Sequence, residues 1–307
     1  RLETSLGQYQ RALNKTQFTA VLSEVQAEGV EDVYDVRIPG INTFDADGFH
    51  AHNCGEQTLP PYGSCLLGSV NLAAMVHDPW TEDSWFDWPR YEKVVAIFTR
   101  MLDNVVEING LPLAAQRQEL LSKRRHGMGY FGLGSALTLL GMRYGSPEAV
   151  QFTRRVTKSL ALTGWKAAVT LGKEKGAAPL LQQNFIITEA MLKAHPEMVR
   201  DGWRVGQAIK GKDLHSRYSR YMQRIAEEDA LLAAQLTQGD GARFTHHTSI
   251  APTGTLALSL GNNASNGIEP TFAHQYIRNI IRPGRKTKES VEVLSYELLM
   301  YRECVDP

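Results

Sequence analysis

Short runs of alternating apolar and polar residues open the chain, TAVLSEVQ at 19–26 and DVYDVRI at 32–38. A period of two turns one strand face toward a core, and Gly29, Pro39, Gly40 and Gly48 punctuate these runs as turns. Residues 1–53 therefore read as small all-β material. Past residue 54 the period changes. Val94, Val95, Phe98, Met101, Leu102, Val105 and Val106 recur every three or four positions, which predicts an amphipathic helix. Leu160, Leu162, Trp165, Val169 and Leu171 predict a second, and residues 220–236 a third. The apolar runs HTSIAP and TLALSL, set off by glycines, are candidate buried strands. Helices alternating with such strands imply an α/β layer fold. HDPWTEDSWFDWP at 77–89 joins three tryptophans to acids and prolines, which predicts an ordered loop whose rings pack on a domain surface.

Composition narrows the function classes. The 307 residues carry 33 basic and 33 acidic side chains, so the chain is not a strongly basic nucleic-acid binder. With 43% apolar residues it can bury a full core and is not a disordered tail. No apolar run approaches the roughly 20 residues of a membrane span, and RLETSLGQYQRALNK has no signal-peptide core, so a cytoplasmic protein is expected. Three cysteines are too few for a secreted disulfide scaffold; Cys54, Cys65 and Cys304 read as packing or chemistry, and Cys304 as a buried small hydrophobe.

The junction at Cys54 carries the first chemistry. In DVYDVRIPGINTFDADGFHAHNC, Asn53 can attack its own carbonyl through the side-chain amide, closing a succinimide and cutting the following peptide bond. His52 can assist near neutral pH, and Cys54 supplies a thiol that accepts an upstream segment as a thioester. The segment resembles the carboxy-terminal splicing motifs of inteins. That resemblance gives Asp35 a supporting role near the splice junction. Asn42 stands where the family often has a histidine, which leaves His50 as an auxiliary acid. The amino-terminal splicing half is absent, so the chain alone is not expected to splice.

A second constellation follows. CGEQTLPPYGSCLLGSVNL at 54–72 resembles the active-site segment of class II, adenosylcobalamin-dependent ribonucleotide reductases. The chemistry that this resemblance implies suits the residues: on an extended loop Cys54 and Glu56 point to one side, where a sulfur radical would take a ribose 3′ hydrogen and a carboxylate the neighbouring hydroxyl proton. Loss of the 2′-hydroxyl as water then needs two electrons and a proton, which a dithiol supplies by becoming a disulfide. APTGTLALSLGNNASNGIEPTFAHQYIRN at 251–279 resembles the phosphate-binding segment of the same reductases, and RRHGMGYFGLGSALTLLGMRY at 124–144 their helix-rich middle. The resemblance gives Cys54 the thiyl, Glu56 the acid/base role, and Cys65 membership of the reducing pair, with its partner outside this chain. Ala251, Pro252, Thr253, Gly254 and Thr255 become the phosphate cradle, with hydroxyls from the two threonines and a helix starting near Leu256. Asn266 and Gly267 would shape a tight turn beside it, ordered by Glu269 and Pro270.

Residues 54–307 are thus expected to form the carboxy-terminal part of the family's ten-stranded α/β barrel, behind a small all-β, Hint-like intein segment at 1–53. Adenosylcobalamin, a ribonucleotide, a thioredoxin-like thiol reductant and the missing amino-terminal halves of intein and reductase are the implied partners, with a homodimer open. The reductases have an asparagine two positions before the thiyl cysteine; the residues before Cys54 here, Ala51, His52 and Asn53, do not place one there, and splicing would supply it from upstream. Cys54 would then act first in splicing and afterwards as radical carrier, and the unspliced chain would be inactive. Two further readings stay open: a split-intein partner whose own activity is splicing, and a class I reductase large subunit. Arg278 to Lys288, including Arg282, Arg285 and Lys286, could neutralise nucleotide or corrin side groups but reads rather as a solvated charged face, and Arg125, before an HGMGYFG turn, as packing or a structural ion pair. His246 and His247 would point to opposite faces, so no metal site is expected there.

Overall fold

In the computed structural model, residues 43–46, 49–52, 59–281, 284 and 287–306 are described, and the chain divides into two units, Arg1–Thr58 and Leu59–Pro307. The expected strands at 19–26 and 32–38 lie outside the described residues, as do Asp35, Asn53, Cys54, Glu56, Arg282, Arg285 and Lys286. In the first unit β1 (Thr43–Ala46) pairs antiparallel with β2 (Phe49–His52), setting the backbone of His52 opposite Thr43.

The second unit is built around a parallel layer. β3 (Leu66–Asn71) runs beside a later strand with Leu66 opposite His126. Between them the chain makes the small pair β4 (Val76–His77) and β5 (Trp85–Phe86), then α1 (Trp88–Ile108) and α2 (Ala114–Lys123). The tryptophan-rich loop is ordered through its rings. Trp85 stacks on His77 with centroids 4.5 Å apart and donates to Asp78 at 3.2 Å, while Trp80 meets Tyr301 edge-on. The loop ends in a helix cap, since Asp87 accepts from the Arg90 amide at 3.0 Å. α1 buries Tyr91, Val95, Leu102 and Val106, a four-to-seven-residue spacing that keeps one face inward, each worth about 1.5–3 kcal/mol. Met101 and Val105, counted on that face by periodicity, flank it and remain exposed.

β6 (His126–Phe131) is buried at every position, which corrects the expected turn and helical character of HGMGYFG. Its glycines are there for close approach. A Cβ at Gly129 would stand 2.1 Å from the Ser249 carbonyl oxygen, and one at Gly127 would stand 2.6 Å from the Cys65 sulfur. On the other edge of β6 an extended segment runs parallel through Thr248; the Met128 amide donates to His247 at 2.7 Å and the Ser249 amide to Met128 at 2.9 Å. HTSIAP is therefore not a full strand but an extended segment held beside β6 by one parallel bridge at Thr248. α3 (Leu133–Leu139) follows β6, and α4 (Pro147–Lys175) packs along α1. Ser146 caps α4 by accepting from Ala149 at 3.2 Å.

After short turns come β7 (Asn184–Ile186), antiparallel to β8 (Ala208–Lys210), and then two helices where one is expected. α5 (Arg220–Glu228) stops at Asp229, whose extended backbone and carboxylate cap α6 (Ala230–Gln238) through the Leu232 amide at 2.9 Å. TLALSL is not a strand but lies in α7 (Gly254–Ser259) and its cap. β9 (Gln275–Ile280) and β10 (Glu289–Leu294) form a hairpin before α8 (Tyr296–Cys304). Cys304 is exposed at the end of α8, which corrects its reading as a buried hydrophobe. Among the described residues the strands make pairs and short layers with no closed sheet, and no helix is long and apolar enough to cross a membrane.

Candidate functional site

The carboxyl end of the parallel layer, where ligands of open α/β sheets commonly sit, is shaped by two loops that meet there. One, residues 251–255, follows the bridged segment at Thr248; the other is 261–273. Thr253 is buried and its hydroxyl accepts the Gly267 amide at 2.8 Å, clipping the loops together. Gly267 has a positive φ of 44°, and Glu269 donates its amide to Asn266 at 2.8 Å, so the expected turn is formed. Ser135 and Ser265 exchange two bonds, each hydroxyl accepting the other's amide, at 2.9 and 3.1 Å. Gly134 admits this packing, since a Cβ there would stand 2.7 Å from the Glu269 carbonyl oxygen.

These loops and β9 enclose a polar cavity of about 350 Å³. Of the five cradle residues, Gly254 and Thr255 line it, joined by Asn266, Glu269, Tyr276 and Arg278. Ala251 is buried behind it, Pro252 is exposed, and Thr253 spends its hydroxyl on the Gly267 clip. The described residues thus separate the segment into two that face the cavity and one that holds its wall. Amides, hydroxyls and the Arg278 guanidinium on one side of the cavity suit an anion with several oxygens, and the Glu269 carboxylate limits the negative charge accepted on the other.

Cys65 lies elsewhere. It precedes β3, half-buried, with the bare Gly127 beside its sulfur. The parallel register places it at the amino end of the layer, a strand's length of roughly 20 Å from the polar cavity. That amino end is tied by charge, which sequence reasoning missed. Asp103 is fully buried on α1 and accepts from Arg124 at 2.7 and 3.0 Å and from Arg243 at 3.2 Å. Glu107 bridges the same two arginines at 2.8 and 2.6 Å. Arg125 is buried in an ion pair with Glu119 at 2.9 Å, as one of its two expected roles.

The adjacent histidines enter different surroundings. His247 packs on Phe244 and the bare Gly164, and burial lowers its pKa to about 3. His246 lines a separate apolar cavity of about 380 Å³ with Leu181, Phe185, Met191 and Tyr218. Burial, then Arg125, His215 and Lys123, bring its pKa down to about 4. His126 is held well below the ordinary range by burial and by His247, Arg124 and Arg243. These three rings are neutral near pH 7 and are poor general acids there. No group of three potential metal ligands occurs among the described residues.

A family model described as "Ribonucleotide reductase, barrel domain" matches residues 49–302. A "Vitamin B12-dependent ribonucleoside-diphosphate reductase" of Mycobacterium tuberculosis (strain ATCC 25618 / H37Rv) is 30% identical over 244 residues, 80% of this chain and 26% of that protein. The protein of the same name from Thermoplasma acidophilum is 27% identical over 228 residues, 74% of this chain and 22% of that protein. A "Ribonucleoside-diphosphate reductase subunit alpha" of Chlamydia muridarum is 26% identical over 227 residues, 74% of this chain and 20% of that protein. The chain spans about a quarter of the length of these curated relatives.

Proposed function

We propose a function from the premise that the chain belongs to the ribonucleotide reductase barrel family: it is the phosphate-site and catalytic-loop portion of a class II reductase, joined to the carboxy-terminal segment of an intein. One observation carries this reading. The two stretches that resemble the reductase phosphate segment, 251–255 and 266–270, are clipped together by the Thr253–Gly267 bond and line one polar cavity at the carboxyl end of the strand layer. The B12 in the names of the Mycobacterium and Thermoplasma relatives favours class II over class I.

In this reading Gly254 and Thr255 hold the nucleotide phosphates. Cys54 as thiyl removes the ribose 3′ hydrogen, Glu56 takes the 3′-hydroxyl proton, and the 2′-hydroxyl leaves as water. Cys65 and a second thiol outside this chain supply the two electrons and become a disulfide. Adenosylcobalamin, when bound, supplies the radical. Of the cavities described, those at the two ends of the strand layer hold about 350 and 380 Å³ and one between α4 and α5 about 820 Å³, and none of their linings presents a feature that would hold a corrin. The described residues do not fit that cofactor by themselves. The split of the chain between Thr58 and Leu59, close to the Asn53–Cys54 bond, supports a separate intein segment in which Asp35, His52 and Asn53 release Cys54.

The test joins both parts. The chain is mixed with a synthetic amino-terminal intein half that carries a reductase amino-terminal segment, and mass is followed. Loss of residues 1–53 with a new peptide bond to Cys54, abolished by Asn53→Ala, is the expected result, followed by cobalamin-dependent ribonucleotide reduction that Cys54→Ser removes. Failure to ligate with several partner halves refutes the intein segment. A ligated product that reduces no ribonucleotide refutes the reductase reading, and turnover by the unspliced chain refutes the two successive roles of Cys54.

A further inference from the structure

The polar cavity has a wall that the cradle segment does not supply. Tyr276 and Arg278 sit two apart on β9, a spacing that turns both side chains to one face, and both line the cavity. The face is fixed from two sides. β10 pairs Val293 with Tyr276 and Val291 with Arg278, and the Tyr276 hydroxyl bonds to the Asn263 side chain at 3.2 Å. Asn263 in turn donates to the Leu294 carbonyl at 2.9 Å, so two side-chain bonds tie the hairpin to the 261–267 loop.

Arg278 and Glu269 are the charged members of the cavity lining. Every ion pair among the described residues lies elsewhere, and Glu269 bonds through its amide to Asn266 rather than to the guanidinium. A guanidinium offers five donors in a flat fork that matches two phosphate oxygens at once. At about 30 Å³ for each water-sized group, the cavity holds roughly ten such groups, enough for a chain of two or three phosphates.

We propose that Arg278 is a specificity-determining residue that grips the distal phosphate of the nucleotide and so sets the preference for polyphosphorylated over less phosphorylated ribonucleotides. The proposal rests on the reading of Gly254 and Thr255 as the phosphate cradle. In that arrangement the cradle holds the phosphate nearer the ribose, β9 holds the far one, and Glu269 opposes any further negative charge on its side of the cavity.

Calorimetric titration of the full chain tests this with inorganic pyrophosphate, cytidine, cytidine diphosphate and cytidine triphosphate. Arg278→Gln should weaken pyrophosphate and the diphosphate about tenfold and leave cytidine unchanged, and Arg278→Lys should restore part of the loss. Thr255→Val should weaken every phosphate-bearing probe. Arg278 is exposed at a hairpin, and an unchanged melting temperature for its variants shows that the fold is kept. Equal diphosphate affinity in wild type and Arg278→Gln, with Thr255→Val still weakened, overturns the role of Arg278 alone. Absence of any phosphate-dependent binding by the wild-type chain overturns the cradle reading and this proposal with it.

Discussion

Gly129→Ala should damage the fold and the site together, because one glycine sets the distance between β6 and the extended segment beside it. The added Cβ would lie 2.1 Å from the Ser249 carbonyl oxygen, about 1.3 Å short of ordinary 3.4 Å contact. The obstacle is main chain, so no side chain can swing aside. The flanking bonds from Met128 to His247 at 2.7 Å and from Ser249 to Met128 at 2.9 Å would stretch to about 4 Å and fail. Overpacking of about 1–3 kcal/mol and two lost backbone bonds of about 1 kcal/mol each give roughly 3–5 kcal/mol. For a unit of this size that lowers the melting temperature by about 6–20 °C. Since Ser249 lies two residues before the cradle, pyrophosphate affinity should fall as well. Calorimetric melting and titration of Gly129→Ala against Gly110→Ala, where nothing lies within 4 Å, make the comparison. If the two variants melt within 1 °C of each other and bind pyrophosphate equally, the close-packed layer is wrong.

Two further predictions concern the opposite end of the layer. Asp103→Ala strands Arg124 and Arg243 in the interior with only the half-exposed Glu107 between them, and should cost about 3–5 kcal/mol in urea unfolding; Asp103→Asn, which keeps an acceptor, should cost less. His247 has a folded pKa of about 3 against about 6.5 when unfolded, so its contribution is present above pH 6.5 and is lost as pH falls toward 3. His247→Leu should therefore remove up to about 1.4 kcal/mol per pH unit from the slope of stability between pH 6 and 4. An unchanged slope in that variant would show that the ring is protonated or solvated in the fold.

How much of this was legible depended on whether the signal was local. The long helices α1 and α4 follow from apolar spacing, though Met101 and Val105 show that spacing alone overstates the buried face. The break at Asp229 was available too, as an aspartate before ALL is a cap signal inside the apparent period. HGMGYF misleads for a physical reason. Its glycines look like turn punctuation, yet they admit Cys65 and Ser249 from neighbouring segments, partners that no local window contains. TLALSL shows the usual ambiguity of a six-residue apolar run. The chemistry divides in the same way. Gly254 and Thr255 reach the cavity from the segment that the reductase resemblance singled out, whereas Thr253 serves as a clip because its partner is Gly267, fourteen residues on. The Asp103 network joins side chains from positions 103 to 243 and has no sequence pattern.

The two ends of the layer are held by opposite means, and the difference bears on what each end can do. At the amino end, the buried Asp103, Arg124 and Arg243 pair at 2.7 to 3.2 Å, a geometry that ties α1 to the end of α2 and to the segment before Thr248 and leaves little freedom for a ligand. At the carboxyl end the loops are joined by neutral clips, Thr253 to Gly267 and Ser135 to Ser265, which satisfy backbone amides without adding charge. A fixed carboxylate network there would repel phosphate; neutral clips leave the field of the cavity to Arg278 and Glu269. Parallel strands bonded in one register carry the precision of the charged end to the neutral one. A lesion at Asp103 should therefore loosen pyrophosphate binding a strand's length away, and to a greater degree than its loss of stability alone would imply.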